Sequence, residues 1–148
     1  MNNDIISLIL IQLDICDVME SSMVNRRFSR VVGSNYLWYH LCRRDYGKFY
    51  KNLKRDTFRE TYRLCYDLEK LKRKFGIGYE IGELYDSKEL YRAYTPMVDI
   101  PIEIGRLVNL QYLGLFRNRI TTIPIEICQV VILQQLNLNA NQITIIPS

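Results

Sequence analysis

Residues 100–122 read IPIEIGRLVNLQYLGLFRNRITT, and residues 123–145 read IPIEICQVVILQQLNLNANQITI. Laid one on the other, they agree at 13 of 23 positions, among them Ile100/Ile123, Pro101/Pro124, Leu113/Leu136, Leu115/Leu138 and Asn118/Asn141. A unit of this length cannot bury its apolar side alone, so copies must stack on one another. The alternation around Leu113 and Leu115, and around Leu136 and Leu138, is that of a short strand with its leucines turned inward. Period two then turns Tyr112, Gly114 and Phe116 outward in one copy, and Gln135, Asn137 and Asn139 in the next. Asn118 and Asn141 fall where the chain turns. Their amides can satisfy backbone groups that a strand ladder leaves unpaired.

The register extends upstream. Ile77, Glu80, Ile81, Gly82, Leu84 and Leu90 each repeat 23 residues later, while Ser87, Arg92 and Thr95 stand where two leucines and the asparagine belong. Residues 77–99 therefore read as a degenerate first copy, the usual condition of a terminal repeat. The pattern L-x-x-L-x-L-x-x-N-x-I resembles intracellular leucine-rich repeats across residues 76–148, with copies at 100–122 and 123–145 and a stub at 146–148. The resemblance implies a short solenoid whose concave face, Tyr112, Gly114, Phe116, Gln135, Asn137 and Asn139, holds a protein target. Tyr112 and Phe116 read equally well as a binding hot spot or as packing against a neighbouring copy. No polar cap follows the last copy, so its edge is expected to fray, or to be covered by self-association or a partner.

The N-terminus has a different period. Asp4 to Leu13 is apolar on too many sides for a one-faced surface helix, so it should bury two faces, one of them against something else. Asp14, Asn25 and Ser34 (or Asn35) are N-cap residues for three further short helices, and Gly33 stops one of them. Four short helices make a small core, marginal if left alone.

Asp4-Ile5-Ile6, Ile9-Leu10, Leu13-Asp14, Asp17-Val18, Val24-Asn25-Arg26-Arg27-Phe28 and Leu37-Trp38 together resemble an F-box, over residues 1–46. The family opens with Leu-Pro where this chain has Met1-Asn2, and the proline expected after Asp14 is Ile15. The resemblance implies that Met1 and Asn2 take the place of the pair that touches a Skp-type adaptor. It implies too that Ile6, Ile9, Leu10, Leu13 and Val18 form the adaptor surface or its support. From the residues alone, all five read equally well as plain helix core.

Between these regions lies a basic segment. Residues 43–74 carry twelve basic and five acidic side chains, although the whole chain is only +4. Thr57-x-x-Glu60 is a capping box, followed by apolar residues at helical spacing as far as Phe75, and Gly76 is the expected C′ residue. Residues 47–75 thus read as an amphipathic linking helix with its lysines and arginines mainly on the outer face. Phe58, Tyr62 and Leu68 are expected to support the repeats. Such charge can meet nucleic acid or an acidic surface, or simply face water; the solvated face is the reading preferred here.

Cys16, Cys42, Cys65 and Cys128 form no CxxC pair, and His40 with Cys42 lacks two further metal ligands, so neither disulfides nor a zinc site is expected. Ile5–Leu13 is too short to span a membrane and lacks the flanks of a signal peptide, which points to an intracellular, cytoplasmic or nuclear protein (a host cell's, if the gene is viral). No paired nucleophile and base or phosphate loop stands out. The sequence reads as α+β: an F-box-like helical bundle, a linking helix and a repeat solenoid. It is expected to be a non-catalytic adaptor without cofactors, joining a Skp-type subunit and through it a cullin to an unknown protein target. The rival readings are a repeat protein whose F-box is silent, a decoy that occupies the adaptor, and a nucleic-acid binder using the basic helix.

Overall fold

The computed structural model describes residues 3–53 and 55–147. It divides into two compact units, Met1–Cys65 and Tyr66–Ser148. The division falls inside the long helix expected to be a separate linker. That helix is shared, its first turns belonging to one core and its later turns to the other.

The first unit holds α1 (Asn3–Leu10), α2 (Ile15–Ser21), α3 (Arg26–Val32), α4 (Asn35–Tyr46) and the start of α5 (Phe58–Phe75). Side chains set the starts. Asp14 accepts from the Asp17 amide at 3.0 Å, Asn25 from the amides of Arg27 and Phe28, and Ser34 from that of Leu37. Thr57 and Glu60 form the reciprocal capping box of α5, both bonds at 3.1 Å. Gly33 closes α3, but at a φ of −74° it does so without entering the left-handed region. The α1 helix stops at Leu10, three residues short of the apolar run.

Ile6, Leu10, Val18, Leu37 and Leu41 are fully enclosed. Around them sits an aromatic layer, in which the Trp38 indole donates to the Val32 carbonyl at 2.6 Å. Tyr62 meets Trp38 and Tyr46 edge-on at 5.3 and 5.2 Å, and Phe58 meets Tyr39 at 5.1 Å. Tyr62 is thus enclosed in the core of the helical unit, and Phe58, half-buried, packs on the same aromatic layer. Their ring edges find aromatic faces there, the favoured geometry, and the expectation that they support the repeats is corrected.

In the second unit α5 ends at Gly76, in the left-handed region at φ 59°. Then follow α6 (Ile81–Asp86), β1 (Glu89–Tyr91), a 3-10 turn (Ile102–Arg106), β2 (Tyr112–Gly114), a second 3-10 turn (Ile125–Gln129) and β3 (Gln135–Asn137). The strands form one parallel sheet in the order β1-β2-β3. Glu89 lies beside Tyr112 and Tyr112 beside Gln135, while Leu90, Leu113 and Leu136 share the next rung. Every rung advances by 23 residues, so the sequence period is the sheet's register. Residues 77–99 supply a full strand despite their altered motif, and use α6 where later units use 3-10 turns.

Asn118 donates to the carbonyls of Arg92 and Leu115 and accepts from the Thr95 amide. Asn141 donates to Leu115 and Leu138 and accepts from Ile120. Each asparagine therefore ties its own turn to the preceding one, a structural task.

Candidate functional site

Two surfaces compete for a functional role, one in each unit. The first is the outer side of α1. Ile6, Ser7 and Leu10 face the core, at 5% exposure or less. Ile5, Leu8 and Ile9, spaced i, i+3, i+4, are 49%, 61% and 45% exposed. Three large aliphatic side chains on one short helix stripe form an exposed apolar patch, which makes this side of α1 a candidate docking surface. Met19, Met23 and Val24 are also exposed, on α2 and the turn after it.

The sequence-derived adaptor residues divide accordingly. Ile9 is on the exposed stripe and Leu13 is half-buried, whereas Ile6, Leu10 and Val18 are enclosed. Those three lie in the core, so of the two roles the resemblance implies they fit the support and not the surface: a side chain at 1% exposure or less can support a docking surface but cannot form one. Met1 and Asn2 lie outside the described residues. Ile5 and Leu8 were missed, because both sides of this helix are apolar and periodicity alone does not say which faces inward. Ser7 held the clue. A small hydroxyl that bonds back to the Asn3 carbonyl at 3.0 Å can sit against a neighbouring helix, as it does here.

The second surface is the outer face of the sheet. Tyr91 and Tyr112 lie ring over ring at 4.7 Å and 30°, and Tyr94 meets Phe116 edge-on at 5.4 Å. The Arg117 guanidinium stands 5.2 Å from the Tyr94 ring centre, within cation–π range. Tyr112 and Phe116 are half-buried by these contacts, while Tyr91 and Tyr94 are the exposed members at 53% and 67%. Gly114 is corrected. It is buried, and a Cβ there would come within 2.8 Å of the Tyr91 ring and 2.9 Å of the Tyr112 ring. Its role is to let two tyrosines close over the strand. Gln135 and Asn139 are exposed and Asn137 half-buried. The aromatic surface therefore lies one unit upstream of where the motif alone placed its centre.

The basic segment is partly neutralised from within. Lys70 and Lys74 reach the two carboxylate oxygens of Glu103 at 2.6 and 3.2 Å. Burial of Glu103 acts to raise its pKa, but hydrogen bonds from Lys70, from the backbone and from Lys74 together outweigh it and hold the carboxyl below the ordinary glutamate value. Arg106 reaches Asp67 at 2.8 Å, and Arg59 lies 5.6 Å from the centre of the Trp38 ring.

Cys42 and Cys65 are buried thiols, each pushed up to about 12, chiefly by desolvation, and so are poor nucleophiles at neutral pH. Cys16 and Cys128 are exposed and unpaired. His40 packs against the rings of Tyr36 and Tyr39. Among the described residues no three His, Cys, Asp or Glu side chains gather as metal ligands, and no helix is long and apolar enough to cross a membrane.

Compared with known protein families, residues 1–40 match the F-box domain, so the helices carrying the first surface form an F-box domain at the head of the chain. Among curated proteins, none matches the chain.

Proposed function

We propose that this chain is a two-part adaptor of an SCF-type ubiquitin ligase. Its F-box domain docks on a Skp-type subunit, and through it on a cullin, while the region after α5 acts as leucine-rich repeats that hold a protein target. The carrying observation is the stripe Ile5, Leu8 and Ile9, exposed on the first helix of that F-box domain. F-box domains generally bind Skp-type adaptors. An exposed aliphatic stripe is the apolar anchor such an interface needs.

What supports the repeat reading is the 23-residue strand register and the asparagine ladder. What supports a target-binding role is the aromatic cluster of Tyr91, Tyr94, Tyr112 and Phe116, since aromatic side chains are enriched at binding hot spots. The chain itself contributes placement, and the chemistry of ubiquitin transfer belongs to its partners. Its working place is the cell interior, where those partners act.

Co-purification with the Skp-type subunit tests the reading. Leu8→Asp should abolish it while leaving the helical circular dichroism intact, because a carboxylate buried unpaired in the interface costs several kcal/mol. Leu10→Asp should instead unfold the first unit. A folded Leu8→Asp variant that still binds normally would refute the docking surface. Wild-type protein that never binds the subunit would leave the silent F-box as the better reading.

A further inference from the structure

The α1 helix is an odd platform for docking. It is eight residues long, below the length at which an isolated helix holds its shape in water. Its first turn carries Asp4, but its last turn has no basic residue to meet the partial negative charge of its C-terminal carbonyls. Ile11, Gln12 and Leu13 turn the chain with single hydrogen bonds from their amides back to the carbonyls of Ser7, Ile9 and Leu10, and the carbonyls of Ile11 and Leu13 accept from a side chain.

The missing cation arrives from another helix. Arg44, in the last turn of α4, donates through Nη1 to the carbonyls of both Ile11 and Leu13, the latter at 2.6 Å. Its Nε and Nη2 form a fork on the Asp45 carboxylate, the Nη2 bond at 2.8 Å. The same Asp45 oxygen accepts from the Tyr62 hydroxyl at 2.6 Å. A line of charge-assisted bonds thus runs from Tyr62 through Asp45 and Arg44 to the end of the docking helix. A planar guanidinium can hold a carboxylate with one edge and two carbonyls with another, which a lysine ammonium cannot do with the same geometry.

We propose that Arg44 is a positioning residue for adaptor binding: it caps α1 from outside and fixes the angle at which Ile5, Leu8 and Ile9 are presented. Asp45 and Tyr62 orient Arg44. The role rests on the adaptor reading above, since α1 is taken as the docking element. Preorganising a short helix raises affinity by removing the ordering that binding would otherwise require.

Hydrogen exchange and titration with the Skp-type subunit test the idea together. In Arg44→Ala, the amides of Ile11, Gln12 and Leu13 should lose protection about tenfold, the scale of one helix-end charge, while those of Val31 and Leu41 keep theirs. Affinity for the subunit should fall by a similar factor, and Arg44→Lys should recover part of both losses. In a Leu8→Ala background, adding Arg44→Ala should weaken binding much less than it does alone, because the contact it positions is already gone. Full additivity of the two substitutions would overturn the proposal, as would unchanged α1 exchange or a uniform loss of protection across α1 to α4. If wild-type protein does not bind the subunit, the adaptor reading fails, whereas the exchange pattern still decides whether Arg44 holds the helix.

Discussion

The units 100–122 and 123–145 share 13 of 23 residues, yet the fold treats them differently. Leu113 is fully enclosed and its counterpart Leu136 is 38% exposed. Gly105 is buried, whereas Cys128, in the same place one unit on, is exposed. Glu103 is enclosed and holds two lysines, while Glu126, among the described residues, has no ion pair. A motif specifies which side chains point inward. How far each is removed from water depends on what lies on either side of the unit. The earlier unit has a strand on both flanks, and the later one lies at the sheet's edge. Identical leucines should therefore have unequal worth, and mutating matched positions in pairs can break or sharpen that claim.

The largest difference is expected at the leucines. Leu113→Ala should cost about 2–5 kcal/mol of unfolding free energy, as enclosed leucines do when the surroundings cannot collapse into the gap. Leu136→Ala should cost roughly 1 kcal/mol, since part of the side chain is already in water. Denaturant melts of the two variants give both values. Equal losses would mean that the last unit is as fully packed as the middle one, and the comparison would break.

Next come Gly105 and Cys128. A Cβ at Gly105 would stand 2.7 Å from the Glu126 carbonyl oxygen and 2.5 Å from Gln129 Oε1. The glutamine can swing away, but the carbonyl belongs to the backbone of the next 3-10 turn and moves only with it. Gly105→Ala should thus destabilise by about 1–3 kcal/mol, the ordinary range for overpacking. Cys128→Ala should stay within about 0.5 kcal/mol, as exposed substitutions do. A neutral Gly105→Ala would show that the two turns can slide apart, and that glycine is not required by their close approach.

These pairs also mark what could be read in advance. The inward leucines, the asparagine ladder, the helix caps of Asp14, Asn25 and Thr57 and the 23-residue register all follow from local chemistry, and the sequence alone places them. Burial against distant neighbours does not follow in that way. The F-box resemblance fits a domain that is found at residues 1–40, but which side of its first helix faces inward was not legible: packing encloses Ile6 and Leu10 and leaves Ile5 and Leu8 outside. Tyr94, Arg117 and Ala140 were passed over as well. They lie 23 residues apart and all adopt left-handed φ, at 58°, 55° and 55°. Each sits just before the position of the ladder asparagine or its threonine substitute, where the chain reverses. Neither glycine nor asparagine occupies these positions, so no residue type announced the conformation, although its period was there to be found. Arg44 is a third case: its partners Ile11 and Leu13 are backbone carbonyls more than thirty residues away, and carbonyls carry no sequence signal.

The smallest of the expected differences concerns charge. Glu103 accepts from Lys70 and Lys74, and these bonds, together with one from the backbone, keep its carboxyl below the ordinary glutamate value despite the opposing effect of burial. Both lysines are about half exposed, at 47% and 45%, so water and salt screen much of the attraction. A carboxyl with a lower pKa folded than unfolded binds fewer protons in the folded state, and stability then rises with pH across the interval between the two values. The contribution of Glu103 should be fully present above its ordinary value of 4.5 and be lost as pH falls from there through the lower folded value. Glu103→Gln should lower the melting temperature by a few degrees at pH 7, and by progressively less as the pH drops below 4.5. Glu126→Gln, which removes no ion pair found among the described residues, should change the melting temperature at pH 7 far less than Glu103→Gln does. The measurement is a set of thermal melts for wild type and both variants between neutral and acid pH at fixed ionic strength. A Glu103→Gln penalty that holds constant across that range would mean the ion pairs add nothing to the fold, and that the enclosed carboxylate is valued for its shape rather than its charge.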